Sequence, residues 1–150
     1  MKKARIYKQL ENKKVKCQAC QWYCEIDNGD VGVCKTRLNK EGELYSLIYG
    51  SLSASNVDPI EKKPLYHFYP GKEVLSIGSY GCNYRCKQCL NFSCSWGQPA
   101  TNILNKLKEG KEEDIVRPEE IVDLAIERNI PGIAFTYNEP SIWPEYVYEV

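Results

Sequence analysis

Three cysteines, Cys82, Cys86 and Cys89, stand at C-x3-C-x2-C directly behind the apolar run Val74-Leu75-Ser76-Ile77-Gly78. At this spacing the thiols share one short loop, and the run before them reads as a buried strand that delivers the loop. Thiolates this close together can wrap a compact iron–sulfur cluster. The usual complement is four cysteines, so three would leave one iron of a 4Fe–4S cluster open to another ligand. Two other readings use the same residues. The three thiols could be part of a zinc site with His67 or Cys94 as fourth ligand, or they could be buried thiols without metal.

The chain has eight cysteines, and they fall into groups of four, three and one. The N-terminus Met1-Lys2-Lys3-Ala4-Arg5-Ile6-Tyr7 is cationic but has no apolar stretch behind it, so it is not read as a secretory signal. A disulfide framework is then disfavoured, metal is favoured, and the expected compartment is the cytoplasm. The group of four begins with the C-x2-C pair Cys17 and Cys20. Cys24 follows, and a glycine turn at Asn28-Gly29-Asp30 leads to Cys34. Four thiolates in this arrangement suit structural zinc and equally a second iron–sulfur cluster; the spacing does not choose between them. Cys94, the cysteine left over, is expected to be a buried small hydrophobe.

Charge and hydropathy exclude two partner classes. Twenty basic residues balance twenty acidic ones, which leaves no basic footprint for nucleic acid. No apolar run approaches the ~20 residues of a membrane-spanning helix.

The lysine-rich residues 1–16 read as a solvated arm or short helix. Residues 42–50 read as a strand and turn, with a loop through Asn56. Residues 91–99 read as a connector, and the mixed charges from Lys106 to Asp114 as a solvated loop or helix face. Arg117-Pro118-Glu119-Glu120 opens a helix, with proline in the first turn and acids at the positive end of the dipole. Its apolar stripe is Ile121, Val122, Leu124, Ala125 and Ile126; Asn129 and Pro131-Gly132 stop it. Residues 133–136 are then a second buried strand, and Ser141–Val150 starts another helix. The resulting βαβα order implies an α/β fold with parallel strands and a right-handed crossover. In parallel α/β folds chemistry gathers on loops after the C-terminal ends of the strands, here 81–91 and 137–140. The expected organisation is a zinc-ribbon-like, four-cysteine metal-binding module over 1–57, a connecting segment over 58–73, and an α/β domain over 74–150.

The cysteine loop, the upstream segment Asp58-Pro59-Ile60-Glu61-Lys62-Lys63-Pro64-Leu65-Tyr66-His67-Phe68-Tyr69-Pro70-Gly71 and the downstream Thr136-Tyr137-Asn138-Glu139-Pro140 together resemble one family. It is the radical S-adenosylmethionine (radical SAM) enzymes, and within them the radical SAM enzyme of the AmmeMemoRadiSam system, a relative of pyruvate formate-lyase activating enzymes. The resemblance runs from about Cys17 to the last residue. It implies a partial (β/α) barrel in which Cys82, Cys86 and Cys89 hold a 4Fe–4S cluster whose open iron chelates SAM. It implies that Asn138 and Glu139 occupy the place of the family's Gly-Gly-Glu-like segment, with Glu139 accepting from the SAM amino group. The residue before the third cysteine, commonly aromatic in that family, is Gln88 here, and Tyr84 is the candidate adenine contact in its place.

The implied activity is reductive cleavage of SAM to methionine and a 5′-deoxyadenosyl radical that takes hydrogen from a substrate. Implied partners are an electron donor such as flavodoxin or ferredoxin and a substrate that is a partner protein in the activating-enzyme relatives. A non-catalytic iron–sulfur or zinc protein, serving as electron carrier or interaction module, is the alternative; a zinc-ribbon nucleic-acid binder is disfavoured by charge.

Only two barrel strands are countable after Val74, where the family builds about six βα units. The expectation is therefore that this is an N-terminal piece of a longer enzyme. It should bind SAM poorly, be inactive alone, and expose apolar surface along 133–136 and on the final helix.

Overall fold

The structure, a computed structural model, describes residues 1–111 and 114–150. Its first part is built from six very short strands: β1 (Lys2–Lys3), β2 (Tyr7–Gln9), β3 (Val15–Cys17), β4 (Glu25–Ile26), β5 (Arg37–Lys40) and β6 (Glu43–Ser46). They form two antiparallel sheets, ordered β1-β6-β5 and β2-β3-β4. The expected arm or helix over residues 1–16 is thus replaced by strands. Strand alternation sends every second side chain inward, and Ala4, Val15 and Cys17 meet Ile26 and Leu44 in a small core. The lysines stay outside, for example Lys16 against Glu25 at 3.3 Å. The β5–β6 hairpin turns through Glu41 and Gly42, both at positive φ (56° and 83°), the twist a two-residue hairpin demands.

The second part is a sheet of β7 (Ala54–Pro59), β8 (Glu73–Gly78) and β9 (Ile133–Phe135). β8 is central, antiparallel to β7 and parallel to β9. Asn56, expected in a loop, lies inside β7 opposite Ser76. β7 therefore spans the boundary drawn between residues 57 and 58, because pairing with β8 orders a segment whose polar side chains hide its strand character.

Between β8 and β9 the chain passes through α1 (Phe92–Ser95), α2 (Gln98–Lys108) and α3 (Pro118–Glu127); α4 (Pro144–Glu149) follows β9. α2 corrects the expected connector: Ala100, Leu104 and Leu107 make a buried helical stripe. Of the charge run after it, Lys106 and Lys108 end α2, while Glu112 and Glu113 lie outside the described residues. α3 forms as expected, but Ile126 faces solvent and only Ile121 and Ala125 of its stripe are buried apolar residues. Leu75 and Ile77 of β8 pack with α2, α3 and the α4 segment in the main core. Trp143 and Tyr146, both fully buried, stack at 5.3 Å.

The arrangement is mixed α/β, and none of the three sheets closes into a barrel. Among the described residues β9 pairs only with β8; residues 133–136 are half-buried along a cavity of about 680 Å³ facing the loop that carries Leu65, Phe68 and Tyr69. The expected exposure of the final helix is corrected. Trp143, Glu145 and Tyr146 are buried against the rest of the chain, and of its large apolar residues Tyr148 faces solvent.

Candidate functional site

The cysteine loop leaves the C-terminal end of β8 through two glycines that admit no side chain. A Cβ on Gly78 would stand 2.7 Å from the Thr136 carbonyl oxygen and 2.8 Å from Tyr137 Cβ, so the ends of β8 and β9 are pressed together. Gly81 has φ +79°, and a Cβ there would meet the Cys34 carbonyl oxygen at 2.7 Å and Thr36 Cγ2 at 2.5 Å. Only glycine adopts that conformation freely and allows that approach.

Cys82 follows and is buried, Cys89 is half-buried and Cys86 is exposed. Burial pushes the Cys82 thiol pKa up, against hydrogen bonds from the backbone N–H groups of Tyr84 and Glu139 that favour the thiolate. The loop is held further by the Trp96 indole, which donates to the Tyr84 carbonyl at 2.6 Å. The Arg85 guanidinium lies over the Trp96 ring, and burial lowers its pKa, opposed by the nearby Cys82.

The loop after β9 meets this one directly. Tyr137 is at φ +68°, an uncommon conformation for a residue with a side chain. Asn138 is buried and spans both loops: its Oδ1 accepts from the Ser79 N–H at 3.1 Å and its Nδ2 donates to the Gly81 carbonyl at 2.9 Å. The geometry gives Asn138 the task of joining the two loops, with its amide engaged by backbone at both ends. Glu139 caps a short 3-10 turn at Pro140–Ile142, accepting from the Ser141 N–H at 3.4 Å, and is half-exposed. Tyr84, on the cysteine loop, is exposed.

His67 is placed away from a fourth-ligand role, whereas Cys94 lies beside the cysteine loop, its carbonyl accepting from the Gly81 N–H at 2.9 Å. The loop over 60–72 joins the Pro59 and Glu73 ends of β7 and β8, opposite the Gly78 end that carries the cysteines; His67 is exposed on it. Cys94 is half-buried on α1 and its thiol donates to the Asn91 carbonyl at 3.3 Å.

The other four cysteines come together around one cavity. Cys17, Cys20, Cys24 and Cys34 line it, with Arg37, Asn83 and Ile142 beside them. Cys17 and Cys34 are buried, and burial raises both thiol pKa values, partly offset at Cys17 by the Ala19 N–H and at Cys34 by Thr36. The thiols are nonetheless not assembled into a cage: among the described residues no three histidine, cysteine, aspartate or glutamate side chains form a group that could hold a metal ion. The Cys82 loop, likewise, is a donor set on a fixed frame rather than a closed site.

The residues that sequence reasoning passed over are those connecting the two cysteine groups. The Trp22 indole donates to the Asn83 carbonyl at 2.9 Å. Arg37 Nη1 lies 2.8 Å from Glu145 Oε2, with both side chains almost wholly buried (2% and 1% exposed). No local pattern announces such pairs, which are brought together from 108 positions apart (145 − 37); Asn83 alone carried a signal, being set inside the cysteine motif.

The chain is 40% identical over 149 residues to a protein of Methanocaldococcus jannaschii described as "Uncharacterized protein MJ0808". The match takes in 99% of this chain, which spans about 42% of that relative's length. No family model matches the chain, and no solved structure matches it. Among the described residues no helix is long and apolar enough to cross a membrane.

Proposed function

We propose that this chain forms the cluster-binding and SAM-binding end of a radical SAM enzyme related to the pyruvate formate-lyase activating enzymes. The observation that carries this reading is the meeting of two loops: two parallel strands end side by side, and Asn138 of the β9 loop is hydrogen-bonded to the Ser79 N–H and the Gly81 carbonyl, directly before Cys82 of the β8 loop. Chemistry at adjacent strand ends is the arrangement that parallel α/β folds favour, and β8 and β9 would be two strands of a partial barrel.

The donor set fits a cluster with one open iron. The three thiols occupy one loop, the Cys94 thiol is engaged with the Asn91 carbonyl, and His67 lies on the loop at the opposite end of β8. Cys82, Cys86 and Cys89 would hold the cluster, which when reduced supplies the electron that cleaves SAM to methionine and a 5′-deoxyadenosyl radical. Asn138 fixes the separation of the two loops, and Glu139 offers a half-exposed carboxylate for the ammonium group of SAM. Tyr84 offers an exposed ring to the adenine.

The remaining parts of the reading are an electron donor such as flavodoxin or ferredoxin, a partner protein as substrate, and no nucleic acid or membrane. Eight unpaired cysteines suit a reducing cytoplasm. Anaerobic reconstitution tests it: about four irons with matching sulfide per chain, lost on replacing Cys82, Cys86 and Cys89 together by alanine, is the expected result. Zinc in that loop under iron loading, or iron retained there by the triple variant, would overturn it.

A further inference from the structure

The cavity ringed by Cys17, Cys20, Cys24 and Cys34 has a feature that buried thiols alone do not explain. Two strongly polar side chains, Arg37 and Asn83, also line it. Both are buried, at 2% and 1% exposed, and neither amide atom of Asn83 nor any guanidinium nitrogen of Arg37 has an aligned hydrogen-bond partner. Arg37 faces Glu145 at 2.8 Å for charge only. Leaving buried donors unsatisfied is costly, and more so for a charged group. Such a cost at two residues lining one thiol-ringed cavity points to a ligand that takes their N–H groups.

We infer that the cavity binds a single zinc ion through Cys17, Cys20, Cys24 and Cys34, and that Asn83 and Arg37 donate to its thiolates. The size of the space selects one ion: its volume is about 10 Å³, close to one water-sized sphere, whereas a four-iron cluster would have to spread the loops apart. Charge agrees. Zinc held by four thiolates is anionic, and the buried Arg37 guanidinium lines the same cavity. Closing the cage falls to Cys20 and Cys24, whose half-buried side chains lie on the exposed Trp22–Tyr23 knuckle and are freer to rotate than Cys17 and Cys34.

The site reaches outward through both polar residues. Asn83 belongs to the Cys82 loop, one position after its first cysteine, and Trp22 of the knuckle holds its carbonyl at 2.9 Å. Arg37 continues to Glu145 of α4, whose Oε1 accepts from the Arg5 N–H at 3.0 Å. Zinc would thereby hold the start of the cluster loop and the α4 segment on one frame, as ligand-supporting hydrogen bonds do in metal sites. This site does not depend on the iron reading of the Cys82 loop, and its test is separable from it.

The test measures metal in the full chain carrying Cys82→Ala, Cys86→Ala and Cys89→Ala, so that the other loop contributes none. The expected content is about one zinc per chain, with cobalt substituted for zinc giving a tetrahedral thiolate spectrum. Cys20→Ser with Cys24→Ser should abolish both while the far-ultraviolet circular dichroism persists. Asn83→Leu should weaken zinc about 10–100-fold in chelator competition. Absence of zinc, iron with sulfide in its place, or zinc kept after loss of Cys20 and Cys24 would overturn the site; unchanged zinc affinity in Asn83→Leu would overturn its link to the cluster loop.

Discussion

The two halves of the molecule hold cysteines in place by different means. Around Cys17–Cys34 no strand exceeds four residues, and the local core is five buried residues: Ala4, Val15, Cys17, Ile26 and Leu44. So little apolar surface supplies limited stabilisation, the situation in which small modules use metal. Around Cys82–Cys89 the frame is a central strand with both neighbours paired, packed beneath α2, α3 and α4. There the core stabilises the frame and leaves the loop partly open, as a site must be. On the readings proposed above, identical side chains would serve as a fastening in one region and as a working surface in the other. The contrast is concrete at Gly81, where the carbonyl of Cys34 occupies the space a side chain would need.

The largest expected effect breaks the core-built half. Trp143→Ala removes a fully buried indole stacked on Tyr146 and set edge-on to Phe135 at 5.7 Å. It should cost about 3–5 kcal/mol in denaturant unfolding, regardless of metal content. A loss below about 1 kcal/mol, small for any core deletion, would mean that the core does not carry this half.

Asn138→Ala comes next and sharpens the comparison at the site. It leaves the buried Ser79 N–H and Gly81 carbonyl without their partner, at about 1–3 kcal/mol. On the proposed reading it should lower the iron retained by the Cys82 loop while leaving unchanged the zinc proposed for Cys17, Cys20, Cys24 and Cys34. Equal loss of both metals would show that the halves are one unit.

Asp58 gives a smaller, pH-dependent effect. Hydrogen bonds from Lys62 at 2.7 Å and Lys63 at 3.2 Å hold its carboxyl well below the usual range. A carboxylate depressed in the folded state adds stability above its unfolded pKa, near 3.9, and loses it as pH falls toward the folded value. Asp58→Asn should therefore cost about 1 kcal/mol at neutral pH, and the gap to the unaltered chain should shrink in acid below about pH 4. A gap that widens on acidification would contradict the assignment. Smallest in stability is Glu139→Ala, which removes only a turn cap at 3.4 Å. Its signature is about a tenfold or greater loss of SAM affinity with iron unchanged, measured by equilibrium binding.

What was legible in the sequence follows the same division. The β8 and β9 runs, the α3 opening and the two cysteine groups are local patterns, and each stands where its residues put it. The N-terminal strands are hidden because the apolar residues in and beside them, Val15 and Ala4, are sparse among lysines, so composition outweighs alternation. β7 was hidden because Asn56 and Asp58 are poor strand formers ordered only by the ladder to β8. α2 was legible in principle from Ala100, Leu104 and Leu107. The Arg37–Glu145 pair and the Asn138 bridge were not, since each joins residues that only the folded chain brings together.

The central claim is that the Cys82 loop holds a cluster with an iron open to SAM. Electron paramagnetic resonance of the anaerobically reconstituted, reduced chain, recorded without and with SAM, tests it most directly. The account predicts a 4Fe–4S signal that changes shape when SAM is added and is absent once Cys82, Cys86 and Cys89 are replaced. A cluster signal indifferent to saturating SAM, or no cluster in that loop at all, would contradict it.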